Sequence, residues 1–72
     1  MFPSRGHENV NEAIRALEVR AVFPDGTVEV MPTDLAVRRA RALGLDLIVV
    51  SPTADPPVAK AMDYGLWKSG HL

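Results

Sequence analysis

Leu17-Glu18-Val19-Arg20-Ala21-Val22-Phe23-Pro24-Asp25-Gly26-Thr27-Val28-Glu29-Val30-Met31 is the stretch on which the fold turns. Leu17, Val19, Ala21 and Phe23 alternate with Glu18, Arg20 and Val22. A period of two is what a strand with one buried face requires. Pro24-Asp25-Gly26 supplies a turn, because proline presets φ and glycine tolerates a positive φ. Val28 and Val30 then alternate with Thr27, Glu29 and Met31, so the whole stretch reads as a β-hairpin.

On its C-terminal side, Pro32-Thr33-Asp34 has the chemistry of a helix start: Thr33 can cap, and Asp34 complements the helix dipole. Ala36, Val37, Ala40 and Leu43 make one apolar stripe, and Gly44 stands where a C-terminal glycine is expected. Leu45 to Val50 is short, apolar and β-branched, which predicts a buried central strand ended by Ser51-Pro52. Three prolines between Pro52 and Pro57 stiffen the next loop. Val58-Ala59-Lys60-Ala61-Met62 alternates again as a fourth strand, broken at Asp63-Tyr64-Gly65. On its N-terminal side, residues 1–13 are polar and without a long period, and read as a loose arm. The order β-β-α-β-β implies an α+β domain: a mixed four-stranded sheet with one helix packed on one face, β-grasp-like in topology. The expected core is Val19, Ala21, Val30, Ala36, Ala40, Leu43, Leu47, Val49 and Val58.

Seventy-two residues at 7.8 kDa allow one small domain. The absence of cysteine excludes disulfides and thiolate metal sites, and fits a cytoplasmic location. The longest apolar run, Leu47-Ile48-Val49-Val50, is far short of the roughly 20 residues of a membrane helix. The first residues are too polar for a signal peptide. His7 and His71 lie near opposite termini, and no serine sits beside a histidine or in a nucleophile elbow. No phosphate-binding glycine loop is present. Hence neither an enzyme, a metal site, a cofactor nor a small-molecule substrate is expected.

Eight basic residues stand against nine acidic ones, a net charge of −1, so any nucleic-acid contact has to come from a local patch. Arg38 and Arg41 are three apart on the expected helix, with Arg39 at the border of the same face. Guanidinium groups bind phosphate bidentately, although such a face can equally be simply solvated. Tyr64 and Trp67, beside Lys60 and Lys68, form a second candidate surface, since rings next to cations can stack on bases. The same rings could instead close the edge of a thin core.

Two strings carry a resemblance. Val10-Asn11-Glu12-Ala13-Ile14-Arg15-Ala16-Leu17-Glu18-Val19-Arg20 resembles the opening of the N-terminal domain of bacterial translation initiation factor 3. Gly44-Leu45-Asp46-Leu47, Ser51-Pro52, Pro56-Pro57-Val58, Lys60 and Met62-Asp63-Tyr64-Gly65 resemble its second half. The resemblance implies a domain over 10–65, a flexible arm over 1–9, and a tail over 66–72 that corresponds to a truncated interdomain linker. It implies a non-catalytic role, in which a monomer with no membrane or cofactor binds the small ribosomal subunit, through its ribosomal RNA, and the initiator tRNA. The basic positions in the matched strings are Arg15, Arg20 and Lys60, with Tyr64 beside them. Helix geometry adds Arg38 and Arg41, and Lys68 follows in the tail. The chain departs from the family pattern at Asp55, where a basic residue is usual, and ends soon after Tyr64-Gly65. With the −1 charge, these departures support an alternative: a protein-interaction module that keeps the fold without ribosome binding.

Overall fold

Strand β1 (Glu18–Val22) pairs antiparallel with β2 (Val28–Pro32) in a register that sets Val19 opposite Met31 and Val22 opposite Val28. The turn between them is closed by Phe23 N–H to Thr27 O and Gly26 N–H to Phe23 O, each 2.9 Å. The structure is a computed structural model that describes residues 9–69, with side chains through Leu66. After the hairpin come helix α1 (Thr33–Ala42), β3 (Asp46–Ser51), β4 (Val58–Met62) and a short helix α2 (Tyr64–Ser69). The four strands form one mixed sheet in the order β2-β1-β4-β3. Its centre is a parallel ladder between β1 and β4, with Ala21 beside Ala59 and Val22 beside Lys60. β3 returns antiparallel to β4, with an irregularity between Val49 and Ser51.

Helix α1 covers one face of this sheet. Its buried residues are Thr33, Ala36, Val37 and Ala40, the apolar stripe set against Val19, Ala21, Leu47, Val49, Ala59 and Ala61. Small alanines on both sides let helix and sheet approach closely, so a thin core is still continuous. The helix ends in a Schellman arrangement: Leu45 N–H reaches Ala40 O, and Gly44 N–H reaches Arg41 O, each at 2.9 Å. Gly44 holds φ +74°, and a side chain added there would meet nothing within 4 Å. Gly44→Ala is therefore expected to cost only the left-handed backbone term, about 1–2 kcal/mol, read as a lower denaturation midpoint with unchanged slope.

Several expectations are corrected. Val30 is 42% exposed, because the hairpin register turns Val28 and Val30 to the face away from α1 and turns Met31 inward. Val58 is half-buried on that same outer face, since parallel pairing with β1 puts Ala59 and Ala61 inside. Leu43 is 58% exposed, because the helix stops at Ala42, before Leu43 can complete the stripe. Leu17 precedes β1 rather than belonging to it and projects into solvent. Thr33 does not cap α1: it is the first helical residue, and its hydroxyl donates to Ala16 O at 2.6 Å. Residues 10–13 are not loose. Val10 bridges to Ile48, and Asn11–Ala13 form a 3-10 turn, held by long-range side-chain partners that no local period reveals. Residues 1–8 of the expected arm over 1–9, both histidines and residues 70–72 lie outside the described residues.

Candidate nucleic-acid interface

Strand alternation divides the expected site in two. Arg20 and Lys60 are both exposed on the sheet face opposite α1, because their neighbours Val19, Ala21, Ala59 and Ala61 point into the core. Arg20 pairs with Val58, and Lys60 with Val22, so the two cations are diagonal neighbours across the central parallel ladder. Around them the face is aliphatic, with Val28, Val30 and Val50 exposed. Neither cation has an acidic partner within 4.0 Å among the described residues. Exposed and without an acidic partner, both cations are available to an outside anion.

The arginines of α1 are differently placed. Arg38 contacts Asp34 at 3.8 Å one helical turn away, and Arg39 contacts Glu29 of β2, also at 3.8 Å. Arg41 holds Glu12 bidentately, with Nη2 donating to Oε1 at 2.7 Å and Nη1 against Oε2. Each would have to surrender or share an acidic partner to take a phosphate. Arg15 has no such partner among the described residues and lies on the segment crossing from β3 to β1, lining the same groove as Arg38 and Arg41. Tyr64 sits half-buried at the start of α2, with its N–H 3.4 Å from Asp46 Oδ2. The side chain of Lys68 lies outside the described residues. The structure thus joins Arg20 with Lys60, and separately Arg15 with Arg38 and Arg41, on opposite sides of the sheet.

A third group of residues went unnoticed as interacting positions in the sequence. Asn11, at φ +50°, donates through Nδ2 to Asp46 Oδ1 and accepts the Leu47 N–H on Oδ1, both at 2.9 Å. Asp46 then meets the Tyr64 N–H through its other oxygen, so one carboxylate ties the N-terminal segment to α2. The signal was present in the strings Val10-Asn11-Glu12 and Asp63-Tyr64-Gly65, but spacing does not show which partners they meet.

The matches to known proteins follow these ties. The description "Translation initiation factor IF-3, N-terminal domain" is that of a family model matching residues 10–69. The chain belongs to the IF-3 N-terminal domain family. It is 66% identical to a translation initiation factor IF-3 of Solibacter usitatus over 67 residues, covering 89% of this chain and 32% of that protein. It is 48% identical to the IF-3 of Borreliella burgdorferi over 59 residues, covering 82% and 32%. Against the IF-3 of Myxococcus xanthus it is 53% identical over 62 residues, covering 85% and 25%. The chain spans a third or less of the length of these relatives. The IF-3 N-terminal match begins at Val10, the residue at which the structure begins to bridge to β3. No helix among the described residues is long and apolar enough to cross a membrane.

The Glu12 carboxyl is held below its ordinary value, first by its own backbone N–H and then by the Arg41 guanidinium. A depressed folded-state pKa stabilises above the unfolded value and is lost as pH falls through the folded one. The clasp between the 3-10 turn and α1 is therefore expected to loosen below about pH 4.5. Amide exchange at Ala13 and Ile14, whose N–H groups bond Val10 O and Asn11 O, reads this directly. Glu12→Gln should remove that pH dependence, while the separate acid response of Asp25, whose carboxylate takes the Thr27 N–H, persists.

Proposed function

We propose that this chain is a non-catalytic translation-initiation domain that binds the small ribosomal subunit near the initiator tRNA, as a cytoplasmic monomer without cofactor. Family membership supports the reading, and the observation that carries it is the pair Arg20 and Lys60, exposed on the sheet face opposite α1 and without an acidic partner among the described residues. These two cations make the main phosphate contacts, and the valines around them pack against ribose and backbone. Such a surface recognises RNA by charge and shape rather than by base identity. Arg15, Arg38, Arg41, Tyr64 and Lys68 add to binding only where their own partners allow it.

Co-sedimentation with small ribosomal subunits tests the reading. Two phosphate contacts predict a shallow salt dependence, with log K falling by about 2 per decade of salt. Binding should be weak and fade towards physiological salt, because two contacts give a small electrostatic term and the chain has no basic excess. The double variant Arg20→Glu, Lys60→Glu should lose binding at low salt while keeping its unfolding midpoint, since both side chains are exposed. A double variant that sediments with subunits as the parent does would remove this face from the interface. The second reading, a protein-interaction module, draws on the acidic partners that all three helix arginines have already taken. No subunit binding by the parent at any salt would favour it.

A further inference from the structure

A wide concavity lies on the other side of the sheet from Arg20 and Lys60. It is a groove of about 570 Å³ between the segment Asn11–Leu17 and the first half of α1. We propose that this groove docks an acidic polypeptide segment that inserts one apolar side chain.

The floor is aliphatic: Ile14 and Val37 are core residues whose outer edges line the groove, with Ala16 between them. Leu17 stands at its rim with 88% of its surface in water, the most exposed of the large apolar side chains among the described residues. Leu17 makes no contribution to the core, so its cost of exposure is offset only when something covers it. The volume suits one leucine-sized side chain together with flanking backbone.

Charge selects the occupant. Arg15, Arg38 and Arg41 face Glu12 and Asp34 around the groove, one positive charge in excess in a chain whose net charge is −1. Arg41 is committed to Glu12 bidentately, so Arg15 and Arg38 remain for a ligand. Arg15 has no acidic partner among the described residues, and Arg38 holds Asp34 only at 3.8 Å with both side chains mostly in water. Exposed pairs of that kind are weak and readily exchanged. Among the described residues no aromatic side chain lines the groove to stack on a base, and an apolar floor offers nothing to a phosphate chain. Carboxylates flanking an apolar residue satisfy both the guanidiniums and the floor.

The test is a heteronuclear NMR titration of the full 72-residue chain. The probes are blocked hexapeptides in which one leucine, phenylalanine or methionine is flanked by glutamates. Saturable shifts confined to residues 14–17 and 33–38 are expected. Affinity should fall about tenfold or more when the peptide glutamates become glutamines, and by a similar factor in Arg15→Glu. Replacing the apolar residue by alanine, or making Leu17→Ser, should weaken binding without moving resonances of the sheet face. Both positions are exposed, so folding is retained, and the unshifted remainder of the spectrum checks this. Absence of saturable shifts with all three peptides overturns the proposal. So does equal affinity for the glutamine peptides, or a single-stranded RNA hexamer that shifts the same residues more tightly.

Discussion

Leu47→Ala is expected to lower the unfolding free energy by about 2–5 kcal/mol. Leu47 is fully buried, the second residue of β3 and part of the core against which α1 packs, and it sits opposite Ala61 on β4. Its neighbours are largely alanines and valines, which are too short to swing into the vacated volume, so the cavity persists. A domain of this size has a total stability of only about 5–15 kcal/mol, so the variant should show an early, still cooperative urea transition. A loss of unfolding free energy below about 1 kcal/mol would mean that helix and sheet collapse onto the gap, contrary to rigid packing of this core.

Asn11→Ala should be nearly as costly, although the residue is only part-buried and lies in a single short 3-10 turn. The substitution removes two hydrogen bonds, one to the Asp46 carboxylate and one from the Leu47 N–H. It also places a Cβ-bearing residue without local compensation at φ +50°. Together these amount to about 2–4 kcal/mol. Asn11→Gly separates the contributions: glycine relieves the backbone and should recover about 1 kcal/mol, leaving the lost bonds. Equal midpoints for the alanine and glycine variants would show that backbone conformation contributes nothing at this site. Because Asp46 also meets the Tyr64 N–H, the alanine variant should expose that amide to exchange as well.

What the sequence made legible was local. The hairpin, the helix stripe Ala36-Val37-Ala40, the glycine after the helix and the span of the apolar third strand all follow from near-neighbour spacing, but that strand lies at the edge of the sheet rather than at its centre, because the parallel β1–β4 pairing takes the middle. The inward face of β2 was not legible, because Val28, Val30 and Met31 are all apolar and only the pairing with β1 decides which of them meet α1. Likewise Ala59 and Ala61, unremarkable as residues, are core because β4 runs parallel beside β1. For the site, Arg20 and Lys60 were nominated by their strings, but their shared face depends on that same pairing. Arg41 looked like a phosphate ligand on a helical wheel. Its actual partner, Glu12, is far off in sequence and comes close only through the crossing segment.

The parallel ladder at the middle of the sheet has a consequence for how the chain comes into being. β1 is made early and β4 late, and apart from the Val10–Ile48 bridge the strand contacts between the two halves run through their pairing. As the chain emerges, the hairpin and α1 can form a first piece, but one long side of β1 remains an open edge until residues 58–62 arrive. Pairing of such sequence-distant strands has to close a long loop before it is rewarded, so it is the slow event of assembly. Until then the nascent piece carries a bare strand edge, the state in which association with another chain competes with folding.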